Sequence, residues 1–212
     1  MLKISSTNLD KKRGFTLVEL VVSIGIMVVI LTIVLSGQST YTSGSSLRQA
    51  ADDISLSLRQ AQVYGISVNQ LTPGKFDVGY GVEFLNASIG GSNDAYVLFG
   101  DKGPSYNYIY DSSWACSSND KTNGECLTKT TLAKGNTIEE LCYIPLSGAE
   151  SCGVVARADI TFLRPATEAH ISLYDASASA FSNVKGVRIK LVSIDQRRIS
   201  VVVYTTGQIS VN

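Results

Sequence analysis

Few side chains in this sequence are able to do covalent or metal chemistry. His170 is the sole histidine, so a histidine-rich metal site is excluded and a Ser-His-Asp constellation would have to run through that one ring. No G-x-S-x-G, Walker loop, H-E-x-x-H or G-x-G-x-x-G motif occurs, and the short stretches GYG and SIGGS read as turns. Four cysteines, Cys116, Cys126, Cys142 and Cys152, form two pairs with nine residues between partners. Zinc knuckles usually show C-x₂₋₄-C spacing, which is absent, so a zinc site is the alternative and disulfides are the expectation. Four cysteines allow three connectivities, of which Cys116 with Cys126 and Cys142 with Cys152 is preferred. Asp94, Asp101, Asp111 and Asp120 lie around loops and could offer oxygen ligands to calcium, but the EF-hand spacing is missing and solvated loop acids are the default. Neither enzymatic activity nor a bound metal or cofactor is expected.

The most informative ionisable residue is Glu19. Residues 15–35 read FTLVELVVSIGIMVVILTIVL, 21 residues whose only charge is this carboxylate. As a helix they span roughly 30 Å, the thickness of a bilayer's hydrocarbon core. Residues 1–14 carry four basic residues against one acid, a net of +3, and no Lys or Arg occurs between Arg13 and Arg48. The positive-inside rule then keeps the leader cytoplasmic and sends the remainder outward, giving a single-pass protein of the cytoplasmic membrane. A cleavable secretory signal would have a shorter apolar core and a small-residue cleavage site, and LSGQSTYTSG supplies no clear one. A plain anchor fits the length but leaves an ionised group at membrane depth without a partner, which costs several kcal/mol.

Lys11-Lys12-Arg13 followed by Gly14-Phe15-Thr16-Leu17-Val18-Glu19 resembles the class III signal of type IV pilins and type II secretion pseudopilins. The resemblance implies that a prepilin peptidase cuts between Gly14 and Phe15 on the cytoplasmic side and methylates the new N-terminus at Phe15. It also implies that the Glu19 carboxylate pairs with the N-terminal amine of a neighbouring subunit during assembly. Physics agrees with that implication: cleavage would place an α-amine four residues from Glu19, at the positive end of the helix dipole. A buried charge is costly unless paired, so pairing favours one axial register over others.

Downstream, SGQSTYTSGSS at 36–46 reads as a bend or short break. Leu47, Ala51, Ile54, Leu58 and Ala61 then recur at alternating spacings of four and three, the pattern of an amphipathic helix ending near Gly65. After Pro73-Gly74 the period becomes two: Phe76, Val78, Tyr80, Val82 and Phe84 alternate with Asp77, Gly79, Gly81 and Glu83, predicting a half-buried strand. Further strands are predicted at 95–99, 153–163, 170–174, 186–193 and 199–204, with a short closing strand at the end. YGVEF, YVLFGD, ITFLRP and RRISVVVYTTGQISV are similar to the domain shared by the H pseudopilin of type II secretion and FimT-type minor pilins. Residues 100–152 match that domain poorly and read as an insertion.

Charge is uneven in the head as well. Residues 185–212 carry Lys185, Arg188, Lys190, Arg197 and Arg198 against Asp195, a net of +4, whereas 41–184 have nine basic and fifteen acidic residues. Arg188, Lys190, Arg197 and Arg198 could hold DNA phosphates, although no aromatic residues lie between them as a stacking platform; the alternative is a solvated edge strand.

The expectation is an α+β, pilin-like fold with a long N-terminal helix packed on antiparallel sheets. Its parts would be a leader (1–14), a transmembrane helix (15–40), an amphipathic helix (41–65) and an extracytoplasmic β-rich head (66–212) with the cysteine-bearing insertion. The expected function is that of a minor pilin or pseudopilin subunit, with prepilin peptidase, other pilin-like subunits, the assembly machinery and the membrane as partners. A DNA-binding minor pilin and a simple membrane-anchored β domain are the alternatives.

Overall fold

The computed structural model describes residues 14–67, 78–102, 107–122 and 124–212, apart from the side chains of 36–43, 121 and 122. Phe76 and Asp77 of the expected strand, and Lys11, Lys12 and Arg13 of the leader, lie outside the described residues. The chain divides into two compact units, Met1–Tyr41 and Thr42–Asn212.

Helix α1 runs Leu17–Ile66. Its first turn is capped by Thr16, whose Oγ1 accepts the Glu19 N–H at 3.3 Å, half of a T-x-x-E capping box. The break expected over 36–46 does not end the helix. Gly and Ser there cost on the order of 1 kcal/mol or less each, and propagation from helix already formed on both sides outweighs that. The helix stops where Gly65 meets the first sheet: a Cβ on this residue would fall against the Phe162 carbonyl oxygen.

The second unit is built from two five-stranded antiparallel sheets. The strands in chain order are β1 (Tyr80–Leu85), β2 (Ala95–Gly100), β3 (Cys126–Thr131), β4 (Thr137–Pro145), β5 (Ser151–Val155), β6 (Arg157–Phe162), β7 (Ala169–Tyr174), β8 (Val184–Val192), β9 (Arg198–Tyr204) and β10 (Ile209–Val211). A short helix, α2 (Ser118–Thr122), precedes β3. The first sheet has the order β3-β2-β1-β6-β7 and the second β10-β9-β8-β4-β5. The α+β architecture with a long N-terminal helix is therefore the observed one.

Leu47, Ala51, Ile54, Leu58 and Ala61 are all buried, as their spacing requires. They share one core with Val82, Phe84, Ile160 and Phe162 of the first sheet and Val187, Ile189, Leu191 and Val201 of the second. Hydrophobic burial between helix and sheets is the dominant favourable term here.

Three strand expectations need correction. The predicted strand at 153–163 is two strands in different sheets: β5 and β6 separate at Ala156, where the chain crosses from the second sheet to the first. No strand is expected between 100 and 152, yet β4 lies between β8 and β5 and pairs with β8 along most of its length. The strand around Tyr80–Leu85 is not half-buried: Gly81 and Glu83, on the face expected to meet water, are buried like their neighbours. That outer face is covered by residues 107–116, which are tied to β3 by the Cys116–Cys126 disulfide. Val97, Phe99, Tyr110, Cys116 and Cys126 form a second small core between them.

Candidate functional site

Glu19, Phe15 and Gly14 stand at the start of the apolar half of α1. Leu17–Leu35 is 19 residues long, with a mean hydropathy of 2.8 and none of its residues buried by the described part of the chain. A helix apolar all round needs an apolar surrounding, either lipid or other helices. Glu19 is exposed in the isolated chain, and its carbonyl accepts the Ser23 hydroxyl at 2.7 Å. Gly14 is exposed and a Cβ there would meet nothing within 4 Å among the described residues, so none of these requires glycine at this position.

Both cysteine pairs are disulfides, Cys116–Cys126 and Cys142–Cys152. The second joins directly opposed residues on β4 and β5. Glu140 lies within ligand distance of these two sulfurs, the one such grouping among the described residues, but the disulfide leaves no thiolate to bind a metal. The four aspartates weighed for calcium are dispersed into local roles. Asp94 accepts the Ser92 hydroxyl, Asp101 the Tyr108 N–H, Asp111 the Asn107 amide and Asp120 the Ser117 N–H. His170 is exposed on β7, its ring 4.4 Å from that of Tyr108.

Of the four cations weighed for DNA, Arg188, Lys190 and Arg198 share one face of the second sheet, but not as an uncompensated patch. Arg188 pairs with Glu150 at 2.7 Å, Lys190 with Glu140 at 2.7 Å and Arg198 with Glu139 at 2.7 Å. The Arg198 guanidinium holds the Glu139 carboxyl below its ordinary value. Arg197 instead lies over the α-carbon of Gly44. Counting charge along the chain concealed this, because β4 carries its acids to β8 and β9 from about 50 residues earlier.

One cluster escaped the sequence reading. Beneath residues 107–116, on the outer face of the first sheet, Glu83, Asp101, Glu125 and Asp159 are all buried. Arg157 lies among them, its Nε 2.7 Å from Asp159 and 3.2 Å from Glu83. Three of the acids accept backbone N–H groups of the covering segment: Asp101 from Tyr108 at 2.9 Å, Asp159 from Tyr110 at 3.1 Å and Glu125 from Asp111 at 2.6 Å. Arg157 in turn donates to the Tyr110 carbonyl at 2.7 Å. Burial first, and then the neighbouring Asp159, pushes Glu83 up to about 8. Glu125 is pushed up to about 7, again mainly by burial. Asp159 is raised by burial despite its bonds to Arg157. Between the two acids facing Arg157, Asp159 has the two-point contact and an amide, so Glu83 is the one that keeps a proton. Alternation marked Glu83 as outward-facing; only the covering segment makes it buried.

Residues 9–35 match the family described as the prokaryotic N-terminal methylation motif. No curated protein and no solved structure matches the chain. The matched stretch contains Gly14, Phe15 and Glu19 and runs to the end of the apolar helix, and it marks the chain as a pilin-like protein of the kind processed by prepilin peptidase.

Proposed function

We propose that this chain is a minor pilin or pseudopilin subunit, stored in the cytoplasmic membrane and inserted into a type IV pilus or a type II secretion pseudopilus. In this reading the peptidase removes residues 1–14 and methylates Phe15, and the protein is the peptidase's substrate and a structural subunit, without catalysis of its own. Packing of the 15–35 helices would hold the filament, and Glu19 would fix the register by pairing with a neighbour's N-terminal amine.

The observation that carries the reading is a methylation motif continuous with an apolar helix, none of whose residues 17–35 is buried by the described residues. An exposed Gly14, with no described residue within 4 Å of a Cβ placed there, agrees with recognition by an outside enzyme. The ion pairing of Arg188, Lys190 and Arg198 weighs against reading them as a DNA-binding patch.

Intact mass of the membrane-extracted protein from cells carrying a prepilin peptidase is the test. A chain beginning at Phe15 with one added methyl is expected, and an uncut chain under those conditions would overturn the proposal. Glu19→Ala is then expected to leave cleavage intact and to abolish recovery of the subunit in sheared filaments or cross-linked pseudopilus.

A further inference from the structure

Three segments of the second unit meet at the point where α1 enters it. Asn136 donates to the Ser46 hydroxyl at 2.8 Å, linking the start of β4 to the helix. The β8–β9 turn places Arg197 over Gly44. Ile194, in the same turn, lies against Gly135, where a built Cβ would be 2.7 Å from its Cδ1. The rim so formed presents Ile194, 72% exposed and the most exposed large apolar residue of this unit among the described residues. Around it Lys134, Arg197 and Arg48 are all exposed. Arg48 lies one helical turn beyond Gly44 on the same face. Asp195 is the one acid in the turn.

An isoleucine at a turn tip, ringed by cations on long apolar stems, has the composition of a lipid-interface contact: the apolar group enters and the charged heads stay at headgroup level. Connectivity points to the same partner. Nine residue steps separate Leu35 from Gly44, which limits their separation to roughly 30 Å whatever path the chain takes. We propose that this rim rests on the bilayer surface when the chain is anchored, with Ile194 among the headgroups and Lys134, Arg197 and Arg48 facing anionic lipid. The inference relies on the membrane-anchored reading above, and it gives the pooled subunit a defined posture before assembly.

The test uses the full chain in vesicles of phosphatidylcholine with phosphatidylglycerol, with or without bromine on the upper acyl chain. Ile194→Trp reports from the rim, and the wild type, whose single tryptophan is Trp114, supplies the background. Vesicle flotation is scored first. Co-flotation, with the emission added by the new tryptophan falling by about half or more on bromination, is expected for interfacial burial. Adding Lys134→Glu and Arg197→Glu should restore most of that emission, as should vesicles lacking phosphatidylglycerol. Co-flotation without quenching overturns the rim contact and leaves the anchor intact. Failure to float overturns both.

Discussion

The outer faces of the two sheets use the same side chains to opposite effect. On the second sheet, three cations and three glutamates meet one to one, part-exposed to water. On the first, four buried carboxylates lie under a covering segment, and Arg157 faces two of them, Glu83 and Asp159. Water screens the former set, so each pair contributes little. The latter carboxylates are buried, so the charges decide whether residues 107–116 stay in place, and part of the shortage of positive charge is met by protons. Burial, and not residue type, separates a solvated surface from a titratable clasp.

The strongest way to break this contrast is Arg157→Leu. It leaves Asp159 without its cation, and a cost of about 3–5 kcal/mol is expected at neutral pH, measured by denaturant unfolding of the detergent-solubilised full chain. The cost should shrink near pH 5, where the neighbouring acids hold protons.

Proton linkage sharpens it next. The folded values of Glu83 and Glu125 lie above the ordinary carboxylate value of 4.5. The folded state therefore binds protons that the unfolded chain releases. Their contribution is complete below pH 4.5 and is lost as pH rises toward 8. Thermal unfolding should fall across that window, by a few kcal/mol in stability, and Glu83→Gln should flatten the upper part. A stability that rises from pH 5 to 8 would contradict the proton-holding role.

Replacing Cys116 and Cys126 together by serine should cost about 2–3 kcal/mol under the chain-entropy model and increase amide exchange in residues 107–116. At the bottom of the scale, Lys190→Ala on the second sheet should change stability by less than about 1 kcal/mol, and less still in high salt.

How much of this was legible beforehand follows the range of each interaction. The anchor and the buried stripe from Leu47 to Ala61 are local patterns and could be read directly. The spacing of the cysteines pointed to the pairing that the structure contains. Glu83 was misread because alternation within one strand says nothing about what covers its second face. β4 was missed because its apolar residues look unremarkable until β8 is laid beside them, and Ala156 carries no turn residue to announce a change of sheet. The acids that neutralise Arg188, Lys190 and Arg198 were in plain view, but only strand pairing shows that they are neighbours.

The position of β4 also bears on how the head reaches its native state. Ile138 pairs across to Leu191, and Val82 to Ile160, so neither sheet can close until chain made much later has arrived. Such long loop closures slow folding. The apolar face of α1 from Leu47 to Ala61 is synthesised first and waits longest for its cover. A nascent head is thus obliged to pass through a stage with that stripe uncovered, and the speed with which β8 and β9 are delivered sets how long it must be shielded from aggregation.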